Sequence, residues 1–66
     1  MKNNLLKFRN ENSLKQSDVA KVIGKTVAHY GMLERGKRKP SIDVAWKLAQ
    51  FYNTTIEEIF FLNKTT

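Results

Sequence analysis

Apolar residues recur along the chain at intervals of three and four positions, a spacing that places them on one face of an α-helix. No segment of useful length alternates apolar and polar residues as a half-buried strand would. The pattern predicts helices over about residues 3–11, 16–23, 27–35, 42–52 and 56–62. The residues expected on their apolar faces are Leu5, Leu6, Phe8, Val19, Ala20, Val22, Ile23, Tyr30, Leu33, Val44, Ala45, Leu48, Phe51 and Tyr52. The predicted fold class is therefore all-α, a compact domain of five helices.

Residues with strong preferences for helix ends separate these segments. Thr26, Ser41 and Thr55 suit the N-cap position, where a side-chain oxygen accepts a hydrogen bond from a backbone N–H of the first turn. Glu58, three residues after Thr55, would complete a capping box. Residues that tolerate the left-handed conformation at helix C-termini are Gly24, Gly36 and Asn53.

The second helix lacks a good N-cap residue. Lys15 stands at that position, and its side chain carries no hydrogen-bond acceptor. We expect Ser13 or Ser17 to compensate.

Length and composition limit the classes of protein that this chain can be. Its 66 residues form one domain, with a core over about residues 3–62. It contains no cysteine and one histidine, so we expect no disulfide, no metal site and no cofactor. It also lacks both a long apolar run and the apolar stretch of a signal peptide, and we therefore expect a soluble, cytoplasmic protein.

The basic residues are concentrated in the first part of the chain. Residues 1–39 carry ten bases and three acids, a net +7, whereas residues 40–66 carry two bases and three acids, a net −1. This asymmetry indicates one half that faces a polyanion and one half that packs. The alternative is a basic face that only increases solubility.

The segment GKT, residues 24–26, raises the possibility of a phosphate-binding loop. Such a loop requires G-x-x-x-x-G-K-[ST] between a strand and a helix, but Val19 occupies the place of the first glycine. A tight joint between two helices explains the segment better, because it needs a small residue at the contact and a permissive one in the turn. Ala20 and Gly24 occupy these places. An ordinary helical hairpin remains open as the alternative.

A larger set of residues then extends this interpretation to a family. From Leu14 to Phe60 the chain resembles, without a gap, the phage repressor and Cro family of helix-turn-helix DNA-binding domains, which includes the small Xre-like bacterial regulators. The residues that carry the resemblance are Gln16, Val19, Ala20, Ile23, Gly24, Thr26, Leu33, Glu34, Gly36, Lys37, Pro40, Ser41, Leu48, Ala49 and Ile56 to Phe60. Arg9, seven residues before Gln16, extends it into the first helix. The resemblance implies a domain of the lambda-repressor-like type, with its third helix in the major groove of DNA.

The same resemblance assigns most of the DNA contacts by position; Lys25, Thr26 and His29 are added because their side chains are polar or charged and lie beside the third helix. The residues placed toward base edges are Thr26, Val27, Ala28, Gly31 and Met32. The residues placed toward phosphates are Gln16, Lys25, His29, Arg35, Lys37, Arg38 and Lys39. His29 is alternatively a solvated surface residue. Apart from Thr26 the base-facing set offers no side-chain hydrogen bond, so we expect apolar contacts with thymine methyl groups and a T-rich site under the third helix.

Two further expectations concern contacts within and between protein chains. The resemblance implies a structural salt bridge between Arg9 and Glu34, with an exposed, unpaired Glu34 as the alternative. The apolar C-terminal residues Phe60, Phe61 and Leu62 indicate a homodimer interface. The alternative there is that Phe60 packs inside the domain while Phe61 is merely exposed.

The function predicted from the sequence is sequence-specific binding of double-stranded DNA by a transcriptional regulator, in particular a repressor. A homodimer would recognise a pseudo-palindromic operator. The sequence shows no catalytic constellation, so we expect no enzymatic activity. The alternative function is an antitoxin or another protein-interaction module that uses the same fold mainly to bind a partner protein.

Overall fold

The computed structural model describes residues 2–61, which fold into five α-helices with no strand in that range. The helices are α1 (Leu5–Glu11), α2 (Gln16–Ile23), α3 (Val27–Glu34), α4 (Ile42–Phe51) and α5 (Ile56–Phe60). The predicted all-α class and the number and order of helices are confirmed. No helix in these residues has the length and apolar character needed to cross a membrane.

The predicted N-caps form as expected. The side chain of Thr26 accepts from the backbone N–H of His29 at 3.0 Å, and Ser41 accepts from Val44 at 3.1 Å. Thr55 accepts from the N–H of Glu58 at 3.1 Å. Each contact satisfies a backbone donor that the first turn of a helix leaves without an intrahelical partner.

The predicted C-terminal positions also adopt positive φ angles. Gly24, Gly36 and Asn53 have φ values of 69°, 75° and 55°. α5 ends earlier than expected, because Phe61 turns into the left-handed region at φ 59°. Leu62 lies outside the described residues.

The start of α2 is stabilised by a residue other than those expected. The carboxylate of Asp18 accepts from the backbone N–H of Lys15 at 2.9 Å. Ser13 instead adopts a left-handed conformation after α1, with φ 55°. Asp18, the third residue of α2, therefore supplies the reciprocal contact of a capping box to the backbone of Lys15, and the expectation about Ser13 and Ser17 stays a prediction.

A single apolar core joins the helices. Its buried residues are Leu5, Val19, Ala20, Ile23, Tyr30, Leu33, Val44, Ala45, Leu48, Ala49, Ile59 and Phe60. α2 packs against both α3 and α4, and α4 packs against α5. Because α2 and α3 meet in this core, the outer face of α3 is left toward solvent.

Three residues predicted on the apolar faces are exposed: Leu6, Val22 and Phe51. Leu6 and Val22 lie about 100° around their helices from the buried Leu5 and Ile23, since successive helical residues are separated by that angle. Phe51 lies at the edge of α4, where its ring meets that of Tyr52 with centroids 4.9 Å apart.

The residues before α1 connect the first helix to the ends of two others. The side-chain amide of Asn3 donates to the carbonyl of Leu33 at 2.8 Å. The backbone N–H of Asn4 donates to the carbonyl of Ile59 at 2.8 Å, and its side-chain amide donates to Glu58 at 3.0 Å. The start of α1 is thereby fixed against the C-terminal ends of α3 and α5.

Candidate nucleic-acid interface

A turn of three residues, 24–26, joins α2 to α3. Gly24 ends α2 in the left-handed conformation, and the N–H of Lys25 donates to the carbonyl of Ala20 at 3.0 Å. A Cβ at Gly24 would meet no atom within 4 Å, so the positive φ rather than lack of space explains the glycine. Ala20 is buried where α2 approaches its neighbours. Residues 16–34 thus form the helix-turn-helix that the sequence predicted.

The outer face of α3 is accessible and mainly apolar. Thr26 and Ala28 are exposed, and Val27 and Met32 retain 45% and 36% of their accessible surface. None of these four residues belongs to the core. They are therefore accessible to solvent, and the assignment of base contacts to them stays a prediction.

Gly31 is the exception among the predicted base-facing residues, because it is buried. A Cβ at this position would lie 3.3 Å from Nη1 of Arg35 and 3.8 Å from the side-chain amide of Gln16. These two side chains lie over the glycine, and the assignment of Gly31 to the base-facing set stays a prediction. The guanidinium of Arg35 and the amide of Gln16 are hydrogen-bond donors, which Val27, Ala28 and Met32 are not.

Glu34, the last residue of α3, binds side chains from three helices. Its carboxylate accepts from Nε and Nη2 of Arg9 at 2.7 and 3.0 Å, a bidentate ion pair. It also accepts from Gln16 Nε2 at 3.0 Å and from the Tyr30 hydroxyl at 2.8 Å. The Glu34 side chain is only 7% exposed, which excludes the alternative of an exposed and unpaired carboxylate. We call these four residues the Glu34 cluster.

The cluster favours the ionised form of its acid and base. Burial by itself would raise the pKa of Glu34, but hydrogen bonds from Arg9, Gln16 and Tyr30 outweigh it and hold the pKa below its ordinary value of 4.5. The bond to Glu34 raises the pKa of Arg9. Burial, assisted by the bond to Glu34, raises the pKa of Tyr30 far enough that its hydroxyl stays protonated. At neutral pH, Gln16 is therefore fixed by a charged acceptor while Tyr30 donates.

A cleft of about 250 Å³ lies on the other flank of α3, between the turn after α2, the loop before α4 and the start of α4. Four residues predicted to contact phosphates line it: Lys25, His29, Arg38 and Lys39. Ser41 and Val44 contribute the α4 side of this cleft, which we call the turn cleft. Loss of solvation, followed by the charges of Arg38 and Lys25, lowers the pKa of His29 below 6.5.

The structure thus divides the predicted phosphate contacts into two groups. Gln16 and Arg35 lie together over Gly31, whereas the turn cleft gathers Lys25, His29 and the loop cations. Lys37 is exposed in the same loop but does not line the cleft. The involvement of the Gln16 amide with Glu34 was missed from the sequence, because it depends on how three helices are packed.

The residues predicted for the dimer interface differ in their exposure. Phe60 is 2% exposed and belongs to the core, so its assignment to the interface was wrong and the alternative that it packs inside is correct. Phe61 is half-buried, and Leu62 lies outside the described range. The most exposed large apolar side chains are instead Ile42 and Trp46, one turn apart on α4, at 82% and 56%.

The arrangement defines a small helical DNA-binding domain of the lambda-repressor-like helix-turn-helix type. A family model described as helix-turn-helix matches residues 5–59, and the chain belongs to this family.

Curated relatives match over almost the whole chain. An uncharacterized HTH-type transcriptional regulator of Methanocaldococcus jannaschii is 40% identical over 60 residues, which cover 91% of each chain. Two uncharacterized HTH-type transcriptional regulators of Archaeoglobus fulgidus are also similar. One is 33% identical over 64 residues, covering 97% of this chain and 90% of the relative. The other is 32% identical over 63 residues, covering 96% and 90%.

Proposed function

We propose that this protein is a sequence-specific, double-stranded DNA-binding transcriptional regulator that acts as a repressor, with α3 in the major groove. Membership in the helix-turn-helix family and the names of the relatives support DNA-binding regulation. The observation that carries the proposal is the surface of α3. Its outer face takes no part in the core, and cationic and polar side chains lie over Gly31 and in the turn cleft beside it.

Recognition is divided between this face and its flanks. Val27, Ala28 and Met32 offer methyl and thioether surface, which suits the C5-methyl groups of thymine. Gln16 and Arg35 supply donors over the middle of α3, while the exposed loop cations reach phosphates on the other side. The proposed operator is therefore T-rich where α3 lies.

We infer a homodimer from the geometry of such recognition. Two copies of α3 about 34 Å apart would contact successive major grooves and require a pseudo-palindromic operator. With Phe60 in the core, Phe61 and Leu62 remain the proposed contact residues. Repression then needs only that the bound dimer keep other proteins from the same DNA, and no catalytic step or cofactor enters the proposal. We place this action in the cytoplasm.

Selection of bound duplexes from a random pool tests the proposal. The selected duplex should bind at least about a thousandfold more tightly than a scrambled duplex of equal length, as expected for specific recognition. Sedimentation velocity should give two protomers on a duplex with both half-sites, and a single half-site should bind the dimer more weakly. Equal affinity for every duplex would exclude sequence-specific regulation, and affinity that does not change with salt would exclude binding to DNA phosphates.

The exposed pair on α4 favours a second candidate function. Ile42 and Trp46 form an apolar surface that the domain does not use, as expected for an antitoxin or another module that binds a partner protein. Expression of the chain together with its neighbouring genes distinguishes the two candidates. A stable complex that is lost in Trp46→Ser, with DNA binding retained, would favour the partner-binding function.

A further inference from the structure

The turn cleft brings several like charges together without an acid to neutralise them. Lys25 faces it from the turn, His29 from α3, and Arg38 and Lys39 from the loop. α4 contributes the side chains of Ser41 and Val44, which are uncharged. The acid nearest in sequence on α4 is Asp43, which pairs with Lys47 at 3.3 Å and does not line the cleft. These like charges repel one another, and an anion that enters the cleft reduces this repulsion.

The polar groups of the cleft match the chemistry of a phosphate. Lysine and arginine side chains supply charge and several N–H donors. The oxygen of Ser41 accepts from the N–H of Val44, and its hydroxyl hydrogen remains able to donate. The first turn of α4, at whose N-terminus Ser41 lies, adds a positive partial charge on the same side. A singly charged phosphodiester with two free oxygens suits this set of donors.

We propose that the turn cleft binds one phosphodiester of the DNA backbone, and that His29 takes up one proton from solvent as this phosphate enters. The inference rests on the proposed function, because it names DNA as the source of the phosphate. It assigns to this chain a binding step in which the DNA affinity is coupled to pH.

The direction of this coupling follows from the charges around His29. In the free protein, partial desolvation and the cations Arg38 and Lys25 lower the pKa of the imidazole below its ordinary value, which favours the neutral form of His29. A phosphate in the cleft carries the opposite charge and therefore raises that pKa. The bound state then binds more protons than the free state, and DNA affinity increases as the pH falls from about 8 to below 6.5.

The composition of the chain makes this coupling easy to isolate. His29 is the one histidine, and there is no cysteine. Among unperturbed side chains only histidine changes charge between about pH 5 and 8. The amino terminus titrates in the same range, but it is retained in any His29 variant and cancels in the comparison.

The expected effect is about three- to tenfold in the dissociation constant across this pH range, since a rise of one unit in a pKa corresponds to a factor of ten. The measurement is a series of DNA titrations from pH 8 to 5.5 at constant ionic strength, with a duplex selected from a random pool. In parallel, NMR follows the ring protons of His29 with pH in the free protein, with duplex, and with inorganic phosphate.

Two variants sharpen the test. His29→Gln should bind DNA with an affinity that does not change with pH, but should retain the dependence on salt. Lys25→Gln removes one of the cations near His29 and should raise the pKa of the free imidazole, which shifts the pH-dependent range upward. Circular dichroism and thermal unfolding establish that both variants are folded.

Each outcome decides the inference. A higher His29 pKa with duplex than without, together with a flat profile in His29→Gln, supports it. Parallel pH profiles in the native protein and His29→Gln would overturn it while leaving DNA binding intact. A shift caused by inorganic phosphate in a protein that binds no duplex would overturn both the DNA assignment and the proposed function.

Discussion

Glu34 receives hydrogen bonds from Arg9, Gln16 and Tyr30, and its side chain is almost fully buried. A carboxylate in this position stabilises the fold only while each of its oxygens is matched by donors, because a buried charge without partners is costly. The cluster also ties the first residue of α2 to the last residue of α3. The side-chain hydrogen bonds of the Glu34 cluster thus all end on one carboxylate.

Glu34→Gln tests this role. The amide retains the shape but loses the charge and places an NH₂ group against donors, so we expect a loss of about 2–3 kcal/mol in the free energy of unfolding. Urea denaturation measures this loss. Glu11→Gln, at an exposed carboxylate on α1, is the matched control and should change stability by less than about 0.5 kcal/mol. Similar effects in both variants would show that the cluster does not contribute specifically.

The lowered pKa of Glu34 predicts how stability depends on pH. A carboxyl whose pKa is lower in the folded than in the unfolded state stabilises the fold above its unfolded pKa, and this stabilisation is lost as the pH falls through the folded value. The free energy of unfolding should therefore decrease below about pH 4.5, the ordinary value. Glu34→Gln should show a shallower decrease than the native protein in urea titrations from pH 7 to 3. An equal slope would assign acid unfolding to other carboxylates.

Residues differ in how far the sequence could predict their roles. The Arg9 and Glu34 pairing followed from family resemblance, whereas the contacts of Gln16 and Tyr30 with Glu34 depend on three-dimensional packing. The burial of Phe60 was not the main prediction from the sequence. Its place beside Phe61 suggested an exposed patch, but neighbouring residues on a helix point about 100° apart, and Phe60 lies inside.

At the scale of one helix, α3 carries a stability cost at Gly31, beside the proposed DNA-binding surface. Glycine in a helix interior costs about 1 kcal/mol relative to alanine. The added methyl group of Gly31→Ala would press on Nη1 of Arg35 at 3.3 Å, the far end of a flexible and exposed side chain. We expect the variant to gain about 0.5–1 kcal/mol in stability and to bind DNA more weakly, because the groups of Gln16 and Arg35 are displaced.

Thermal unfolding and DNA titrations on the same preparation measure both effects of Gly31→Ala. Unchanged DNA affinity would show that the position of the Arg35 side chain over Gly31 does not affect binding. A loss of stability would show that Arg35 cannot move aside.

Substitutions at Met32 and Lys37 distinguish two proposed kinds of DNA contact, one to base edges from α3 and one to phosphates from the loop that follows it. Lys37→Ala should weaken binding about equally on all duplexes and reduce the salt slope by roughly one unit, as expected for a phosphate contact. Met32→Ala should instead change the preference at particular base pairs, since its exposed side chain lies outside the core. Competition between single-base variants of the selected duplex measures both. A sequence-dependent effect of Lys37→Ala would contradict its assignment to a phosphate.

The helices themselves were largely predictable because their limits are set by local chemistry. Thr26, Ser41 and Thr55 cap through a side chain and an N–H three residues away, and this spacing is visible in sequence. The rotation of each helix about its axis is set by its neighbours, and Leu6 and Phe51 were therefore assigned to the wrong side. The turn cleft was not predicted as a cleft, because it is formed by four separate segments, the turn, α3, the loop and the start of α4.

At the scale of the whole molecule, several basic residues lie in and around α3. The basic first part of the chain supplies five cations in and around α3. They are Lys25, Arg35, Lys37, Arg38 and Lys39. Neutralising one phosphate with each of these five cations predicts that log K falls against log salt with a slope of about −4 to −5 per protomer. Fluorescence anisotropy between low and moderate salt measures this slope. A value near −1 would show that most of these cations do not contact phosphates.

The contacts of Asn3 and Asn4 also determine how the chain must fold. Helical proteins rich in local contacts fold quickly, since short loops cost little entropy to close. The bond from Asn4 to Glu58 joins residues 54 positions apart, so it forms only after nearly all of the intervening chain is arranged. The first and last helices are therefore expected to become stable in the same cooperative step. Local opening of one would release the other, and neither end of the domain would persist as an independent folding unit.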